Sequence, residues 1–227
     1  MADALPPARL VVESIALYAG LPILFDRILV LGYRRLLFPG LWLLAGVSAL
    51  VLRADPTFDA SRLWSTRIDP SYGRLLLLRT VVGVAAVGAL SRRFAPETWL
   101  ALPRSRPLLW VLVAVLYPIL SVLPQSVFWR VFFVHRYAPL FGHGLAMIVS
   151  GTLAFAFAHI VFRNAIAVAL TALGGLLFLS TYLATGSMLV SGIEHAVYGV
   201  SAFTFGIGRS LYLGSARGAQ SESRRVS

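Results

Sequence analysis

The chain has 227 residues, of which 58% are hydrophobic and only 13% charged. A soluble domain carries about 25% charged residues, so this chain lacks the polar surface to face water all round and reads as an integral membrane protein. Its net charge of +11 comes from arginine without lysine, mostly in short loops and the tail beside apolar runs. That placement points to topology signals and anionic-lipid contacts rather than to nucleic acid.

The absence of cysteine excludes disulfides, thiol nucleophiles and cysteine-ligated metal. The opening MADALPPARL holds Asp3 and two prolines without a small-residue cleavage site, so no removable signal peptide is expected. A spanning helix needs about 20 residues, and the apolar runs here are continuous rather than alternating as in a barrel. The expected fold is an all-α polytopic membrane bundle of about seven helices, within a range of six to eight. It forms a single transmembrane domain over residues 1–208.

The first apolar segment runs from Leu10 to Phe25, interrupted by Glu13 and closed by Asp26 and Arg27, and is short for a full span. After the Arg34–Arg35 pair, a second covers Leu36 to Leu52. A surface loop with Asp55, Asp59 and Asp69 follows, from Arg53 to Arg74. The third segment is Leu75 to Leu90, then a basic loop from Ser91 to Pro107. The fourth, Leu109 to Tyr137, organises the rest. It begins as pure apolar helix and ends with Gln125, Ser126, Arg130, His135 and Arg136 among aromatic side chains. Pro118 and Pro124 lack N–H groups, so each frees a carbonyl and is expected to bend the helix. The fifth segment is Gly144 to Phe162, the sixth Ala165 to Ala184 and the seventh Ser187 to about Gly208. The tail, 209–227, is polar and expected to be disordered.

Orientation follows from the arginines. Seven spans place Arg34, Arg35, Arg92, Arg93, Arg104, Arg106, Arg163 and the tail on one side, the richer one and therefore the cytoplasmic one. The N-terminus then lies outside. The localisation expected is multi-pass, in a bacterial-type inner (plasma) membrane.

An arginine at mid-membrane costs about 2.5–3.5 kcal/mol on insertion scales, so Arg130 needs partners in the interior. His159 on the fifth segment, and Glu194 and His195 on the seventh, raise the same question. Each has a plain structural account, such as a hydrogen bond to a neighbouring helix or a snorkelling side chain. Together, their costs are better met by one shared polar cavity. Helical spacing puts Ser126 and Arg130 on one face, with Gln125 about 100° round. It also puts Ser191, His195 and Gly199 on one ridge and Glu194 and Tyr198 on the next. The aromatics at these spacings, Phe128, Phe132, Phe155 and Phe157, read as core.

Three motifs in order then resemble the CPBP family of intramembrane proteases, also called the CAAX-protease or Abi family: QSVFWR at Gln125–Arg130, FAFAH at Phe155–His159 and HAVYG at His195–Gly199. The family carries EExxxR, then FxxxH, then a later histidine often followed four residues on by asparagine. The HRY after the first motif and the LATGS before the last also look like this family, over about residues 109–208. The resemblance implies an intramembrane metalloendopeptidase, a hydrolase cleaving a membrane-anchored or prenylated peptide within the lipid bilayer. In such enzymes a glutamate and histidines activate a water, or bind a metal that does so. Carried over, the catalytic set is His159, His195 and Arg130 with Gln125 and Ser126, and the metal ligands are His159 and His195, with zinc as the cofactor.

The chain departs from the pattern where the base should be. Gln125 and Ser126 stand at the two glutamate positions, Gly199 at the asparagine, and two histidines alone leave a catalytic zinc one ligand short. Glu194 is the only carboxylate deep in the late segments. It is expected either to replace the lost base or to pair with Arg130. Three functions follow: an endopeptidase, a non-catalytic relative (a pseudoenzyme) that binds a lipidated or transmembrane partner, or a transporter or channel. The last would show inverted repeats, and none is visible.

Overall fold

The computed structural model describes residues 6–207. The tail expected to be disordered, 209–227, lies outside the described residues. Among the described residues there are seven long helices: α1 (Pro7–Val30), α2 (Leu37–Ala54), α3 (Pro70–Phe94), α4 (Pro107–Phe141), α5 (Leu145–Phe162), α6 (Ala165–Thr185) and α7 (Met188–Phe205). The first six are long and apolar enough to cross a membrane. The seventh has the 18 residues a short span needs, with Glu194 and His195 interrupting its apolar run. The protein is therefore an all-α, multi-pass membrane bundle.

Local chemistry explains where the helices differ from the sequence reading. α1 is a full 24-residue helix rather than a short one, because Glu13 and Asp26 do not end it. Both acids find basic partners on other helices: Glu13 accepts from Arg136 at 2.7 and 2.8 Å, and Asp26 accepts from Arg163. α3 begins five residues before the expected Leu75, since the Asp69 carboxylate caps the N–H groups of Ser71 and Tyr72 and Pro70 sits at the first helical position. The basic loop after it is not plain coil but holds the short helix Ala101–Ser105.

The prolines of α4 widen the helix rather than break it. Residues Pro118–Val122 and Val127–Phe132 form π turns inside one continuous helix. Pro124 cannot donate to the carbonyl of Leu120, four residues back. Trp42 on α2 donates its indole N–H there instead, at 3.2 Å. In the second π turn the Phe128 carbonyl accepts from the Tyr18 hydroxyl of α1 at 2.9 Å. Both carbonyls thus accept from aromatic side chains of neighbouring helices, which suits a water-free interior.

The ends of the helices pair as an alternating up-and-down bundle demands. The Glu13–Arg136 pair ties the start of α1 to the end of α4, and Asp26–Arg163 ties the end of α1 to the end of α5. His135 donates to Asp55 just beyond α2 at 2.9 Å. Bonds from Thr57 and then His135 hold the Asp55 carboxyl down at about 2. Packing between helices relies on small residues, which let large rings approach: Gly151 against Phe133, Gly175 against Phe155 and Gly83 against Tyr198. Leu77, Leu78, Val115 and Leu153 point outward, which suits a surface facing acyl chains.

Candidate functional site

Arg130 is 3% exposed and holds α7 from α4. One of its nitrogens donates to the Ser191 hydroxyl at 2.7 Å and to the Ser191 carbonyl at 3.1 Å; the other lies 2.9 Å from His195 Nδ1. A guanidinium only donates, so His195 Nδ1 must accept, and the neutral ring carries its proton on Nε2. That Nε2 sits 3.3 Å from the Tyr117 hydroxyl oxygen of α4, to which it donates. The imidazole lies stacked on Phe178 with ring centres 4.4 Å apart, and the edge of Phe155 closes its other side. The Ser191 hydroxyl donates in turn to the Phe178 carbonyl at 2.8 Å. His195 is therefore fixed in place and tautomer.

His159 is held differently. Its Nδ1 donates to the Phe155 carbonyl one turn back, at 2.7 Å, which leaves the lone pair on Nε2. The residue lines a cavity of about 100 Å³ whose other walls are mainly apolar side chains of α1 and α2, such as Leu17, Leu21, Phe25 and Leu41. Ser121, Gln125 and Trp129 of α4 complete its polar side. The Phe155 ring separates the two histidines, 4.7 Å from His159 and 5.7 Å from His195, centre to centre. Arg130 and His195 do come together, as one shared polar cavity would require. His159 belongs to the adjoining cavity rather than to the same hydrogen-bonded cluster.

The two positions where glutamates were expected part company as well. Gln125 faces the cavity and donates to Ser121 at 2.8 Å. Ser126 is buried against α7, where Gly192 gives it room, and donates to its own helix at the Val122 carbonyl. The expected ion pair between Glu194 and Arg130 is not formed. Glu194 is gripped from the opposite side of α7 by Arg79 of α3, with two bonds of 3.0 Å, and by Thr181 at 2.6 Å. Its side chain is 1% exposed, and the bidentate fork leaves it a structural partner rather than a base.

Arg79 escaped the sequence reading, although an arginine in the middle of RLLLLRTVVG carried the same signal as Arg130. Removing one member of a buried pair costs about 3–5 kcal/mol, because the other is left charged and alone. Arg79→Met is therefore expected to lower thermal stability in detergent sharply. The double change Arg79→Met with Glu194→Met should recover most of the loss; a double variant as unstable as the single would show that the pair does more than neutralise itself.

Tyr117 was missed too. A Cβ on Gly199 would overlap its ring, so the tyrosine stands where a side chain at that position would go. Tyr117 thus reaches His195 from α4, in the place of an asparagine on α7.

Residues 106–201 match the family model described as type II CAAX prenyl endopeptidase, Rce1-like. This stretch is similar to the CAAX proteases. No curated protein and no solved structure matches it. The matched stretch begins at the start of α4 and ends within α7, so it contains Arg130, His159, His195 and Tyr117 but not Arg79.

The donor set here is short of what the zinc suggested by this CAAX protease resemblance needs. Of the two histidines, His195 has its lone pair engaged by Arg130 and a proton on its other nitrogen. Among the described residues, no three of His, Cys, Asp and Glu come together to hold an ion. These residues do not fit a three-ligand catalytic zinc.

Proposed function

We propose that this chain is an intramembrane endopeptidase of the CAAX type that hydrolyses a membrane-anchored or prenylated peptide, with His159 as its base. The observation that carries the reading is the His159 tautomer: Nδ1 tied to a backbone carbonyl, and the Nε2 lone pair on a residue that lines an apolar cavity. An imidazole so held can take a proton from water as the oxygen attacks a peptide carbonyl, then return it to the leaving amine. Water is consumed, one amide bond breaks, and a carboxylic acid and an amine result. Arg130 stands in the neighbouring His195 cluster, across the Phe155 ring from His159, with neutral hydrogen-bond partners only, and its charge favours from there the negative charge that develops on the carbonyl oxygen. The apolar walls suit the hydrocarbon of a lipidated substrate. The membrane proposed is a bacterial-type inner membrane, with the arginine-rich ends of α3 and α5 in the cytoplasm.

A non-catalytic binder is the second reading. It is favoured by Gln125 and Ser126, neither of which can act as a carboxylate base. The purified protein in detergent, offered a prenylated CAAX peptide, separates the two. Cleavage that falls at least about a hundredfold in His159→Ala supports the peptidase. Peptide that binds but stays intact over long incubation supports the binder.

A further inference from the structure

Among the described residues, three buried side-chain atoms have no hydrogen-bond partner, and two of them belong to one ridge of α4: Gln125 Oε1 and Trp129 Nε1. Both residues line the cavity beside His159. A buried polar group without a partner is uncommon and costly, and such groups mark places where something else binds. Here one is an acceptor and the other a donor, four residues apart, about 6 Å along the helix axis. Trp129 is 9% exposed, wedged edge-on against Phe128 and Phe155, so its N–H cannot simply turn to solvent.

From this pair we infer that Gln125 and Trp129 form a clamp for a peptide amide: Gln125 Oε1 accepts from the N–H and Trp129 Nε1 donates to the C=O. A peptide unit is the ligand group that presents one donor and one acceptor in a fixed, rigid relation. The surrounding leucines and phenylalanines favour an amide borne on a hydrocarbon-rich molecule over one from a water-soluble peptide. The inference rests on the peptidase reading of this cavity and deepens it. Gln125 then has a task of its own, reading the amide next to His159, which a carboxylate could not perform without keeping its charge in an apolar wall.

The test uses two probes: an S-farnesylated, N-acetylated cysteinyl dipeptide with its internal amide intact, and the same compound with that amide replaced by an ester. The ester keeps the carbonyl and loses the N–H. Titration calorimetry on the full chain in detergent should find the ester bound about fivefold or more weakly by the wild type. With Gln125→Met the two probes should bind alike, while Trp129→Phe should weaken both and keep the ratio. Equal binding of the two probes by the wild type, a ratio that survives Gln125→Met, or no binding of either probe overturns the clamp. Cleavage without an amide–ester difference would sink the clamp and leave the peptidase standing. A difference without cleavage would do the reverse.

Discussion

Arg130→Met is expected to abolish turnover of a prenylated peptide while leaving the bundle as stable as before, or more so. The guanidinium is buried, and every hydrogen bond it makes is to a neutral group: the Ser191 hydroxyl and carbonyl, and His195 Nδ1. The nearby carboxylate of Glu194 is already claimed by Arg79 and Thr181. A buried charge without an ionic partner pays the full desolvation cost, and apolar replacements of buried charges are often neutral or stabilising by about 1–4 kcal/mol. Methionine fills much of the same volume, and the Ser191 hydroxyl keeps its bond to the Phe178 carbonyl while His195 Nδ1 loses its donor. Function should suffer because His195 then loses the group that sets its tautomer, and the positive charge next to the His159 cavity is gone. A drop of at least about a hundredfold in cleavage is the expected scale for removing such an electrostatic group. Thermal unfolding in detergent and a peptide-cleavage assay on one preparation decide it. A large fall in melting temperature would make Arg130 a structural residue instead.

Gly199→Asn, the change toward the family pattern, should destabilise the protein by about 2–3 kcal/mol, the upper range for overpacking a well-filled contact. The new side chain would be driven into Tyr117, whose ring also packs edge-on against Phe203 at 5.4 Å. Combining Gly199→Asn with Tyr117→Ala should cost less than the sum of the two single changes, since each makes room for the other. Additive losses in a double-mutant cycle would show that Tyr117 and position 199 do not compete for one space.

Much of this was legible in the chain because membrane helices obey few rules strictly. Continuous apolar runs gave the seven helices. The i, i+4 spacing placed Ser191, His195 and Gly199 on the face of α7 that meets α4, and Glu194 with Tyr198 on the face that meets α3. Partners across helices were not legible. Nothing local told that Glu194 would turn to Arg79, 115 residues earlier, rather than to Arg130. The Tyr117–Gly199 exchange was hidden for the same reason: a glycine at a motif position reads as a loss until the ring that fills the gap is seen. Phe155 was rightly placed in the core, yet its position between the two histidines, which divides the site, depends on packing that spacing cannot supply.

Arg130 also bears on how the protein is made. Helices enter the bilayer in the order of synthesis, so α4 arrives when α1 and α2 are already present to donate to its Leu120 and Phe128 carbonyls. Ser191 and His195 lie more than 60 residues downstream, and until α7 emerges the arginine has neither of them. The unbroken apolar run of Pro107–Tyr117 is what can carry that charge through the translocon in the meantime. Arrival of the last helix then locks a cation already waiting within the lipid, which makes closure of the site the final step of biogenesis.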